Sequence, residues 1–192
     1  GNDFVPIVER FALPLEHKIR FVFPHAPVRS VTVNGGMRMR AWYDIAQLDL
    51  SQEEDLAGIE DSARLIRLLI EREQGLGITT DRIILAGFSQ GGAVALHAGL
   101  RFPLSLGGVI VLSGYLPVPN TLMLERHQAN QHTPIFMAHG LFDPVVPMML
   151  GQMSKEQLEG SGYIVSWHSY PMAHAVIPEE IEDIGKFLHK IL

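Results

Sequence analysis

"LAGFSQGGAVALHAG", residues 85–99, ends a hydrophobic run, opens a run of small helix-forming residues, and holds one hydroxyl between glycines at the bend. Gly87-Phe88-Ser89-Gln90-Gly91 fits G-x-S-x-G, in which a nucleophilic serine sits on a strained strand-to-helix turn and glycines permit close backbone approach. Side chains at 87 or 91 are expected to collide with the neighbouring strand or helix. With 18 Gly in the chain, composition alone yields such a pentapeptide about one time in ten, so the flanks must decide. "RIILA" supplies a strand immediately before the motif and "GGAVALHAGL" a helix immediately after. The competing reading is an ordinary helix N-cap serine in a Gly-rich turn.

A serine hydroxyl needs a neighbouring base to become a nucleophile at neutral pH, and that base needs a carboxylate to orient it. The chain order Ser, Asp, His is the one this strand-turn-helix setting calls for. Asp143, in "PIFMAHGLFDPVVP", falls just beyond the C-terminal end of a predicted strand at 134–139, the edge at which active sites of open parallel sheets gather. An Asp-Pro turn is the alternative there. Of nine histidines, His174 in "SYPMAHAVIP" lies between the last predicted strand and the last helix, again at that edge. His139, His168 and His189 read as structural, and His97, in the helix after the serine, as packed or exposed. No histidine pair has metal-ligand spacing and cysteine is absent, so neither a metal nor a thiolate mechanism is expected.

Outward from the motif, apolar runs at 82–86, 107–112, 134–139 and 163–169 alternate with segments long enough for helices, which predicts parallel strands with helical crossovers. The final helix should begin at Pro178 and bury Ile181, Ile184, Leu188 and Ile191. "IRFVFP", 19–24, reads as a buried strand, and "VTVNGGMRMRAWYD" as a surface hairpin turning at Asn34-Gly35. Ser51 and Glu54 form a capping box ahead of a helix over 52–74 with Ile59, Ala63, Ile66 and Ile70 on one face. No repeat or linker marks a boundary, so a single domain over 1–192 is expected.

Net charge of −6 without a basic cluster argues against a nucleic-acid partner, and no apolar run reaches the length of a membrane span. "GNDFVPIVERF" carries no initiator Met, which points to an upstream segment processed, tagged or left out.

The stretches "FVFPHAP", "VTVNGG", "WYDI", "ILAGFSQGGAVAL", "LGGVIVLSGYLP", "HGLFDPVVP" and "YPMAHAVIPEEIEDIGKFL", in that order, resemble the bacterial carboxylesterase, phospholipase and acyl-protein thioesterase group of small α/β-hydrolases. The resemblance implies an α/β-hydrolase fold, a mostly parallel central sheet with helices on both faces. It implies Ser89 as nucleophile, Asp143 as orienting acid, His174 as base and the Gln90 backbone N–H as oxyanion donor. Two departures stand out. Ala173 and Ala175 flank His174 where the family has Gly and a polar residue. The family's strand and His-Gly-Leu-Gly loop, with the second oxyanion donor, would lie upstream of Gly1, so a longer biological protein is expected.

The implied activity is a serine carboxylesterase acting on short- to medium-chain acyl esters through an acyl-enzyme, without a cofactor. The alternatives are a lysophospholipase or acyl-protein thioesterase, and a non-catalytic binding module. Trp42 is a candidate wall of the acyl site by resemblance, and Leu141 and Val145 are candidates for the region beside Asp143. Met148, Met149 and Met153 are assigned to core filling ahead of an acyl groove. A small-molecule acyl ester is the expected partner, a homodimer is compatible, and a cytoplasmic location is the expectation.

Overall fold

Two runs with little polar interruption, 108–112 and 135–140, can bury both faces, and that places them in the middle of a parallel sheet. The computed structural model describes residues 4–13, 18–46 and 54–192. In chain order the elements are α1 (Val5–Val8), β1 (Val28–Val31), β2 (Met37–Arg40), α2 (Leu56–Gly75), β3 (Ile84–Phe88), α3 (Gln90–Leu100), β4 (Gly108–Leu112), α4 (Leu122–Glu125), β5 (Ile135–Gly140), α5 (Met148–Gly160), β6 (Val165–Tyr170) and α6 (Pro178–Ile191). The four expected strands are present as β3 to β6, each starting one or two residues later than the apolar run. They pair in parallel in the order β3-β4-β5-β6.

Alternation along β4 and β5 sorts the core into two layers. Val109, Val111, Ile135 and Met137 meet Leu96 and Leu100 of α3 and Leu158 of α5 on one face. Ile110, Leu112, Phe136 and Ala138 meet Ile184 and Leu188 of α6 on the other, with Phe4 and Phe11 against them. Helices therefore cover both faces, as the α/β-hydrolase reading requires. Ile59 carries α2 onto the outer side of α3 by packing with Ala93 and Val94. Because all four strands run the same way, the segments after residues 88, 112, 140 and 170 collect at one edge.

Three local expectations need correction. Residues 19–24 form no strand: no described residue forms a strand ladder with them, and Phe21 and Val22 stay exposed. Strand propensity describes a fit to a pleated, half-buried surface, and without a ladder partner that surface is missing. The edge of β3 away from β4 likewise has no partner among the described residues. The start of α2 differs from expectation too. Asp55 is the N-cap of α2, accepting from the Gly58 amide at 2.9 Å, and Glu54 instead accepts from the Val118 amide at 2.6 Å. Ser51 lies outside the described residues. Third, Met149 and Met153 are exposed and do not fill the core. The hairpin does form, with Val31 opposite Met37 and left-handed Gly35 and Gly36 closing a turn longer than two residues.

Candidate active site

Ser89 connects β3 to α3 with φ 54° and ψ −124°, a conformation L-residues rarely adopt. The surroundings enforce it. The Ser89 amide donates to the Leu112 carbonyl at 2.8 Å, and its carbonyl accepts from the Ala93 amide at 3.1 Å. A Cβ on Gly87 would stand 2.1 Å from the Gly91 carbonyl carbon and 2.5 Å from the Gly92 nitrogen, so α3 can leave the strand this steeply only because residue 87 has no side chain. The second glycine of the motif behaves otherwise. A Cβ on Gly91 would meet only Trp42 Nε1, at 3.6 Å, which is ordinary contact, whereas Gly92 is tight against Gly87 O at 2.9 Å. The positions with no room for a side chain are thus 87 and 92, not 87 and 91. Gln90 begins α3, so its N–H is among the amides that an α-helix leaves without an intrahelical acceptor.

Asp143 sits in the turn after β5, buried, with its carboxylate fully engaged. Oδ1 accepts from the amides of Val145 and Val146, both at 2.9 Å, and Oδ2 accepts from His174 Nδ1–H at 2.7 Å. Burial pushes this carboxyl up, but the His174 bond and the two amides outweigh it and hold it below the usual aspartate value. The turn is locked to the loop after β6. Leu141 N–H donates to Tyr170 O and Phe142 N–H to Met172 O. A Cβ on Gly140 would lie 2.5 Å from both the Met172 and Ala173 carbonyls, so Gly140 is what lets the Asp143 turn and the His174 loop touch.

The His174 ring packs on Phe88, the residue before the serine, with centroids 4.5 Å apart and planes tilted by 44°. The structure thus brings His174 and Asp143 into direct contact and sets the imidazole beside the bend that carries Ser89. Among the described residues Ser89 Oγ makes no hydrogen bond to either. Such bonds are commonly long in the absence of substrate, and a serine side chain rotates freely about χ1. Trp42 lies against the first turn of α3, while Leu141 and Val145 are exposed on the Asp143 turn.

Three other histidines have structural settings. His139 is fully buried, donates through Nε2 to Val146 O at 2.8 Å and lies 3.7 Å from Asp143 Oδ2, so it braces the turn whose amides grip that carboxylate. Burial pushes its pKa down, which keeps it a neutral donor. His97 is buried behind α2 with its pKa pushed down to about 4, mainly by burial. His168 stacks on Phe136 at 4.7 Å. Sequence reasoning missed the bracing by His139. It also missed the side chain of Gln90, whose amide accepts from Trp42 N–H and donates to Tyr43 O.

Comparison with known proteins adds the family. The family model described as Phospholipase/Carboxylesterase matches residues 8–192. The chain belongs to that family. Among curated relatives, acyl-protein thioesterase 1 of Gibberella zeae is 44% identical over 183 residues, spanning 91% of this chain and 78% of that protein. The Saccharomyces cerevisiae acyl-protein thioesterase 1 is 40% identical over 176 residues, 90% and 78% of the two chains. Among solved structures, Arabidopsis thaliana SOBER1 superposes with a TM-score of 0.93 at 27% identity, covering 99% of this chain and 92% of that one. Zea mays acyl-protein thioesterase 2 gives 0.86 at 29% identity, covering 99% and 87%. These relatives are fungal and plant proteins, so the bacterial qualifier of the sequence reading is not borne out. Membership makes the protein an α/β-hydrolase-fold enzyme, a serine hydrolase acting on carboxylic ester or thioester bonds. No described helix is long and apolar enough to cross a membrane.

Proposed function

We propose that the protein is an acyl-protein thioesterase-type hydrolase that uses Ser89 as nucleophile, His174 as general base and acid, and Asp143 as the orienting carboxylate. The observation that carries the reading is the 2.7 Å Asp143–His174 bond, made at the sheet edge where the His174 ring rests on Phe88 beside the strained serine. His174 takes the hydroxyl proton as Ser89 Oγ adds to the acyl carbon, and returns it to the departing thiol or alcohol. The same imidazole then takes a proton from water, whose oxygen attacks the acyl-enzyme, and the acid leaves as Ser89 regains its hydrogen. Asp143, ionised and acceptor-only, fixes the Nδ1–H tautomer, so Nε2 is the nitrogen left to move protons. The Gln90 N–H donates to the oxyanion of each tetrahedral intermediate.

The names of the relatives support the acyl-protein thioesterase alternative over the narrower expectation of a short- to medium-chain carboxylesterase. The family description keeps carboxylic ester cleavage as the second reading. The test is turnover on three substrate sets: a long-chain S-acyl peptide, short esters, and a lysophospholipid. Preference in kcat/KM for the S-acyl peptide supports the thioesterase reading, and preference for short esters replaces it with the carboxylesterase. Absence of turnover on all three would leave a binding module.

A further inference from the structure

Residues 42–44 belong to no helix or strand, yet four of their backbone polar groups are held by side chains from elsewhere. Trp42 N–H donates to Gln90 Oε1 at 3.1 Å, and Trp42 C=O accepts from Ser62 Oγ of α2. Tyr43 C=O accepts from Gln90 Nε2 at 2.8 Å, and Asp44 N–H donates to Asp55 Oδ2 at 2.8 Å. The Tyr43 and Tyr115 hydroxyls, 2.9 Å apart and buried, close the strap from behind. Irregular backbone held this way at each residue is a rigid mount. What it presents is Trp42, beside the first turn of α3, where Nε1 would be 3.6 Å from a Cβ on Gly91.

Gln90 stands on both sides of this arrangement. Its main chain opens α3 directly after Ser89, and its side chain grips the strap. The grip needs one acceptor and one donor at the end of a two-methylene arm, which among the standard side chains only glutamine provides. Glutamate would set a second acceptor against Tyr43 O, and methionine would offer neither group.

We infer that Gln90 is a specificity-determining positioning residue, its carboxamide tying the Trp42–Tyr43 strap to the nucleophile bend so that Trp42 stands as a fixed wall for the acyl chain. The inference rests on the reading of Ser89 as the acylated residue. A fixed wall rewards each methylene buried against it by about fourfold in kcat/KM. A strap that drifts enough to forfeit two such contacts lowers the long-to-short preference about 15-fold.

The experiment measures kcat/KM for octanoyl and acetyl thioesters of one thiol in the unsubstituted protein, Gln90→Met, Gln90→Glu and Ser62→Ala. The expected result is a fall of roughly tenfold or more in the octanoyl-to-acetyl ratio for both Gln90 variants, carried by KM for the octanoyl substrate. Ser62→Ala, which loosens the same strap from α2, should move the ratio in the same direction by a smaller factor. Equal losses on the two chain lengths in the Gln90 variants would overturn the inference. Should those variants fail to fold, an unchanged ratio in Ser62→Ala overturns it instead. An unsubstituted protein that turns over neither thioester would remove the catalytic reading itself, a failure distinct from a shared loss on both chain lengths.

Discussion

Replacing each motif glycine by alanine should separate residues that the sequence presents as equivalent. In Gly87→Ala the new methyl carbon would stand 2.1 Å from Gly91 C and 2.2 Å from Gly91 O, more than 1 Å inside the 3.4 Å at which ordinary contact begins. Both obstacles are backbone at the first turn of α3, so relief requires the helix to retreat from β3. Forcing extra atoms into packed surroundings costs typically 1–3 kcal/mol, and backbone against backbone puts this case at about 3 kcal/mol. Gly91→Ala meets only Trp42 Nε1 at 3.6 Å and replaces glycine inside a helix, a change that stabilises by up to about 1 kcal/mol. The two variants should therefore differ by about 4 kcal/mol, nearly a thousandfold in the folding equilibrium. Gly92→Ala, held at 2.9 Å from Gly87 O and 3.0 Å from Val111 Cγ1, should fall between them. Urea unfolding followed by circular dichroism at neutral pH reads the series. Gly91→Ala as destabilising as Gly87→Ala, or an order with 92 above 91, would refute the reasoning.

Asp143→Asn keeps the shape of the turn but offers an N–H or a weaker acceptor to His174, and should lower kcat by about 10⁴-fold in steady-state thioester hydrolysis. A loss under tenfold would contradict the orienting role. His97 is neutral when folded, with a pKa near 4 set mainly by burial, against 6.5 in the unfolded chain. The unfolded state therefore binds the extra proton between those values, and up to about 3 kcal/mol of stability should drain away as pH falls from 6.5 to 4. His97→Leu should flatten that slope in urea titrations. Glu180, in the first turn of α6, is fully buried, and burial pushes its carboxyl up to about 8. Its sign is opposite: the folded state holds the proton, so stability falls as pH rises from about 4.5 to 8, and Glu180→Gln should be the more stable protein at pH 9 with a smaller gap at pH 5. A gap that does not change with pH would refute this.

What the sequence disclosed follows from how far each signal reaches. The strands at 108–112 and 135–140 announce themselves because burial on both faces leaves an apolar run. Pro178 marks the start of α6 for an equally local reason. Residues 19–24 have the same composition signature, but a strand also needs a neighbour, and composition says nothing about neighbours. Glu54 shows the same limit, since its partner at Val118 lies 64 residues away. In the candidate site, the placement of Ser89, Asp143 and His174 near one sheet edge was legible because the motif fixes one and strand ends fix the others. The grip of Gln90 on residues 42 and 43 was not, as both bonds cross 47 or more residues. Nor was the asymmetry of Gly91 and Gly92, which depends on where the first helical turn places a single backbone atom.

The central claim, that Ser89 is the nucleophile served by His174 and Asp143, is tested most directly by mapping a covalent adduct. The protein is treated with an alkyl fluorophosphonate and digested, and the modified residue is located by tandem mass spectrometry. The account predicts one adduct, on Ser89, formed at least a hundredfold more slowly in His174→Ala because the base that activates the hydroxyl is gone. An adduct on another residue, or labelling of Ser89 at an undiminished rate without His174, would contradict it.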